Sequence, residues 1–127
     1  MTSEDVRNAI EVRLQDNWAT TPIAWDNVSY KPVRGTPFIR CQMEEVFSEI
    51  KGLSCTSVNG LLTIQVFTPA KEGTENNIQN ADALVALFQG FSVDTLVMLS
   101  GRIERAGSED NWHQRNVQID YKFDKYF

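Results

Sequence analysis

Apolar residues in this chain recur with two different spacings, and the switches between them divide it into helices and strands. Val6, Ile10, Leu14 and Trp18 recur every four positions with Ala9 in the same stripe, which places them on one face of an α-helix. Thr2 or Ser3 can cap that helix, and Glu4 and Asp5 bring negative charge to its positive end. Thr20-Thr21-Pro22 disfavours helical geometry, so the helix is predicted to end near Trp18.

Ile23-Ala24-Trp25 is short and apolar, and Asp26-Asn27 follows as a turn signal before the extended stretch from Val28 to Pro32. That segment reads as loop or edge strand. After Arg34-Gly35-Thr36-Pro37, the residues from Phe38 to Met43 alternate, with Ile39, Cys41 and Met43 on one side and Arg40 and Gln42 on the other. From Glu44 to Ser57 the spacing fits a helix nearly as well as a strand, and strand is the reading taken. Asn59-Gly60 predicts a type I′ hairpin turn, because both central residues of that turn need positive φ.

Leu62, Ile64 and Val66 then share one face of a strand that Pro69 closes, with Thr63 and Gln65 on the other. The polar stretch from Ala70 to Asn77 is expected to be a long loop, and loops of that length commonly make contacts. Ile78, Ala81, Leu84, Val85 and Phe88 form the stripe of a second helix, and Gly90 is placed to end it in a left-handed conformation. Val93 to Ile103 is β-prone, Ala106 to Asn111 reads as an acidic turn, and Val117, Ile119, Tyr121 and Phe123 alternate inward. The expected fold class is α/β in the α+β sense: one domain over residues 1–127, a single mostly antiparallel or mixed β-sheet with two helices packed on one face.

Composition narrows the function. A chain of 127 residues with 42% apolar content can bury one core, and a formal charge of -5 opposes binding to a polyanion. The aromatic residues have too few cations beside them to form base-stacking platforms, which leaves packing as their role. The polar, acidic start predicts no secretory signal, and no stretch approaches a membrane span. The Asn27-Val28-Ser29 sequon is discounted on that expectation, and Cys41 and Cys55 read as ordinary buried thiols.

A reaction centre does not assemble from the sequence. His113 lies among Trp112, Gln114 and Arg115 with no acid or thiol nearby, and two cysteines plus one histidine do not make a zinc set. Glu44-Glu45 and Glu109-Asp110 are adjacent pairs that a strand would direct to opposite faces. Gly35, Gly73, Gly101 and Gly107 are isolated, outside any phosphate-loop pattern. No catalytic, metal or cofactor-binding residue is assigned, and the expectation is a non-enzymatic protein without a cofactor.

Several segments in order resemble one family. They are the opening helix ending in Trp18, the segment from Ile23 to Asn27, the strand opening from Thr36 to Arg40, the strand from Gly60 to Phe67, and Asn80 to Leu84 leading to Phe88. Together they resemble the tail terminator proteins of long-tailed bacteriophages, the group related to the lambda minor tail protein. The resemblance implies an α/β subunit that forms a hexameric ring on the last ring of the tail tube. Such a ring halts tube polymerisation and offers a joint to the head. It further implies three protein partners, namely copies of the same chain, the tail tube protein and a head completion or connector protein. On the same resemblance, genomic DNA is expected to pass through without specific binding, no membrane is expected to be involved, and the expected location is the head-proximal end of the virion tail after assembly in the host cytoplasm.

A closed ring joins two different patches on each subunit. The segment bearing Lys71, Glu72, Thr74 and Asn76 and the turn bearing Arg105, Glu109, Asp110 and Trp112 are the candidate assembly surfaces. Glu44, Glu45 and Glu49 are candidates for an acidic channel lining, since a wall that bound phosphates would retard DNA. Another head-tail connector or neck subunit is the alternative, followed by a small-ligand-binding α+β domain whose pocket would include His113.

Overall fold

Alternation of apolar and polar residues decides the sheet, and two strands carry it without interruption. In this computed structural model, which describes residues 1–26, 28–109 and 111–127 and only the backbone at 107–109, β3 (Cys55–Pro69) and β6 (Trp112–Tyr126) form an antiparallel ladder. The pairing runs from Cys55 opposite Tyr126 to Pro69 opposite Trp112 with no register shift. One face of that ladder presents Val58, Leu62, Ile64 and Val66 beside Val117, Ile119, Tyr121 and Phe123, all buried. Each fully buried aliphatic side chain stabilises the fold by roughly 1.5–3 kcal/mol, so this face alone fixes the register.

The remaining elements follow from the need to cover it. Those preceding β3 are α1 (Ser3–Asn17), β1 (Ile23–Ala24) and β2 (Phe38–Gly52), and a 3-10 turn (Ala70–Glu72) follows it. Next come α2 (Glu75–Phe88), β4 (Ser92–Val93) and β5 (Leu96–Glu109) ahead of β6. Among the described residues the sheet has six strands in the order β1-β2-β3-β6-β5-β4, antiparallel except for the parallel β1–β2 pair. Val6, Ile10, Leu14 and Trp18 of the first helix and Ala81, Leu84 and Phe88 of the second join the same core, so both helices cover one face.

Local chemistry sets the helix limits. Thr2 Oγ1 accepts from the Asp5 amide at 3.0 Å while Asp5 accepts from the Thr2 amide at 2.9 Å, a capping box that holds the Asp5 carboxyl below its usual range. At the other end the Trp18 indole donates to Thr21 Oγ1 at 3.0 Å, which satisfies the polar edge of a buried ring. Arg13 ties the helices together, its guanidinium 4.1 Å from the Phe91 ring centroid and its Nε donating to the Leu87 carbonyl at 2.8 Å.

The structure corrects four sequence expectations. Asn59-Gly60 is not a turn: both residues lie inside β3, opposite Lys122 and Tyr121. A Cβ at Gly60 would stand 2.3 Å from Tyr121 Cζ, so the glycine makes room for a buried ring instead of bending the chain. The hairpin instead turns at Leu53-Ser54, with Ser54 at φ 61, between the paired Gly52 and Cys55. Ile78 is 42% exposed, and the inward position in the first turn of α2 belongs to Asn77, because the helix starts at Glu75 and takes up the last three residues of the expected loop. The expected turn from Ala106 to Asn111 is mostly strand, because β5 continues to Glu109.

Other expectations hold. The stretch from Glu44 is strand, and the register shift between Glu45 and Phe47 is a bulge that explains its blurred spacing. Gly90 adopts φ 80 just past α2, and its amide donates to the Met98 carbonyl at 3.1 Å.

Two substitutions test this packing. Phe88→Ala removes a ring with no exposed surface and is expected to cost about 3–5 kcal/mol in chemical denaturation. Gly60→Ala is expected to cost about 1–3 kcal/mol by overpacking against Tyr121, and a double-mutant cycle with Tyr121→Leu should recover most of that loss.

Candidate assembly surface

Sheet edges are the feature that the two helices leave uncovered. β1 pairs with β2 only at Ile39 and Arg40, so among the described residues no strand covers the outer side of β2, the side away from β3, from Cys41 to Gly52. On the opposite side β4 covers only Leu96 and Val97, and the Phe91 carbonyl accepts from the Met98 amide at 2.8 Å. Beyond the Gly101 amide, which donates to the Gln89 side chain at 2.8 Å, no strand among the described residues covers the side of β5 away from β6. An unpaired strand is a row of free donors and acceptors, a template for another chain.

The β2 edge is also apolar where it leaves the core. Val46, Phe47, Ile50 and Leu53 are exposed, Ile50 at 74% and Leu53 at 101%. Apolar side chains of this size along an open strand edge and the turn that follows it form a surface suited to burial by a partner. Its signal in the sequence was present, since the same residues made the stretch from Glu44 to Leu53 look half helical.

The candidate residues fall into two groups. Lys71 and Glu72 lie in the 3-10 turn, Thr74 precedes α2, Asn76 is in its first turn, and all four are exposed. The Ala70 amide donates to the Asn111 carbonyl at 2.8 Å and His113 Nε2 lies 3.2 Å from the Ala70 carbonyl, so this segment and the β5–β6 connection adjoin. They make one continuous surface. Arg105 is exposed on β5, whereas the Glu109 side chain and Asp110 lie outside the described residues.

Trp112 is half-buried in an aromatic group on the sheet face that carries no helix. Its ring meets Phe38 edge-on at 5.2 Å, Phe38 stacks on Phe67 at 4.6 Å, and Tyr30 lies 5.1 Å from Phe38. Buried Asn77 supports this end from the other face, donating to the Val66 carbonyl at 3.1 Å and the His113 carbonyl at 3.3 Å. The polar character of Asn77 predicts loop from sequence alone, whereas it lies in α2.

Glu44, Glu45 and Glu49 are all exposed on β2 but do not share a face. Glu44 pairs with Leu61 and Glu49 with Ser57, on the side without helices, whereas Glu45 pairs with Gly60 and accepts from the Ser3 hydroxyl of α1. Other chemistry is sparse. Among the described residues no group of three or more His, Cys, Asp or Glu is arranged to hold a metal ion. A groove of about 580 Å³ runs beside α1 and β4, and His113 is not among its lining residues. No helix of the described residues is long and apolar enough to cross a membrane.

The two cysteines differ in environment. Burial, reinforced by the Glu11 carboxylate, pushes the Cys41 thiol from 9.0 up to about 12, while Cys55 is half-buried in β3.

An α+β protein with one mixed sheet, helices on a single face and, among the described residues, two long open edges is the class these observations define. The sequence matches the family profile described as phage tail terminator protein over residues 5–121, and the chain belongs to that family. It is a structural component of phage tails. No curated protein matches the chain. A solved structure that carries no functional name is similar in fold, with a TM-score of 0.72 at 20% identity over 100% of this chain and 98% of that chain.

The thiols give a direct check. At pH 8 an alkylating reagent is expected to modify Cys55 and to reach Cys41 only after unfolding. The unfolded thiol loses its proton near 9.0 while native Cys41 keeps it to about 12, and burial raises Tyr121 from 10.0 to about 12. Stability is therefore whole below pH 9 and is expected to fall between pH 9 and 12, read as a dropping melting temperature.

Proposed function

We propose that this chain forms a ring that caps the tail tube, stops its polymerisation and provides the joint to the head. The observation that carries the reading is the pair of long open edges on different strands, β2 and β5. A ring is a heterologous interface repeated until it closes, and it requires two unlike surfaces per subunit. An open-edged sheet left alone invites uncontrolled pairing, so closure also protects the subunit.

In this reading the surface formed by Lys71, Glu72, Thr74 and Asn76 together with the β5–β6 connection contacts the tube or the head protein. Its backbone is fixed by the Ala70–Asn111 bond, which suits a docking surface. Glu44 and Glu49, on the helix-free face, are assigned to the channel wall, where carboxylates let DNA pass without holding it. Glu45 points to the other face and is left out of that wall.

Removal of the gene from the phage is expected to give tail tubes beyond normal length and heads without tails, seen by electron microscopy. Supplying the wild-type chain should restore both. Tubes of normal length that fail to join heads would assign the protein to the neck instead and overturn the capping role.

A further inference from the structure

The two open edges are complementary to each other. From Glu44 to Lys51 the β2 edge carries three carboxylates, Glu44, Glu45 and Glu49, against one lysine, and Lys51 already faces Asp124 at 3.4 Å. Arg102 and Arg105 flank Glu104 on the exposed β5 edge, Arg102 also reaching Asp120 of β6 at 2.9 Å and Arg105 having no carboxylate opposite it in the ladder. Both edges also show exposed apolar side chains, Phe47 and Ile50 on β2 and Ile103 on β5.

The match holds on each face of the sheet. On the helix side stand Glu45 and Ile50 of β2, and Ile103 and Arg105 of β5, fixed there by pairing with Val117 and Arg115. On the other side stand Glu49 and Phe47 of β2, opposite Ser57 and Asn59, and Arg102 of β5, opposite Gln118. Strand pairing sets side chains of one face about 5 Å apart, within reach for acid-to-base and apolar contacts.

We propose that the occupant of the β2 edge is the β5 edge of a second copy of this chain, so that the sheets of neighbouring subunits join into one continuous sheet around the ring. This deepens the ring reading and rests on it. In subunits of the same orientation β2 and β5 run in opposite directions, so the joint is antiparallel. The open part of β2 lies toward the Leu53-Ser54 turn and that of β5 toward the other end of the sheet. Closing such a sheet requires the strands to tilt and the register to stagger, which supplies this offset. Backbone hydrogen bonds then provide adhesion, and the charges select the partner edge.

Charge exchange tests the joint with the full chain. One variant carries Glu45→Arg and Glu49→Arg, a second carries Arg102→Glu and Arg105→Glu, and circular dichroism confirms that each folds. Assembly is read by native mass spectrometry in solution and by co-sedimentation on isolated tail tubes. Each variant alone faces like charge at every joint, and its half-assembly concentration is expected to rise at least about tenfold. In an equimolar mixture every joint is again acid to base, so mixed oligomers with equal numbers of both variants should form. If either variant alone assembles as the wild type does, or if the mixture fails to recover, the edge-to-edge joint is overturned while the ring stands. If the wild type is monomeric both free and on tubes, the ring reading falls and takes this joint with it.

Discussion

The β3–β6 ladder is the constraint on which the rest of the structure depends. Its register places eight apolar side chains on one face, and slipping either strand by one residue would turn that set toward water. Because the ladder runs unbroken from Cys55 to Pro69, both helices must lie on the same side, and the other side is left with polar residues and one aromatic group. The open edges follow from the same fact, since β1 and β4 are each too short to flank their long neighbours.

Much of this was legible in the chain. The stripe from Val6 to Trp18, the alternation from Val117 to Phe123 and the glycine after the second helix each obey a single spacing rule, and each appears where that rule puts it. The reading failed where two rules compete. Asn59-Gly60 has the chemistry of a turn, but the local preference yields to a distant ring, that of Tyr121, which needs the space a glycine leaves. Asn77 looked like loop because it is polar, yet its amide satisfies two strand carbonyls, and that pairing is invisible until β3 and β6 stand side by side.

The assembly surface was legible only in part. Exposed polar stretches such as Lys71 to Asn76 are conspicuous in a sequence, whereas an open edge is a property of what fails to pair with a strand. The bulge at Val46 hid the β2 edge further, because it breaks the alternation and puts Phe47 on the helix-free face while Ile50 lies on the helix side. Membership of the tail terminator family makes these edges intelligible, because a structural protein of the tail meets other tail components, which can cover backbone groups left open in the chain alone.

Asn77 has one more consequence. By clamping the first turn of α2 to two strand carbonyls, it holds the neighbouring exposed residues on a stiff base before any contact is made. A visitor landing there meets a shape already set, so little freedom is surrendered on arrival and even a modest footprint can hold.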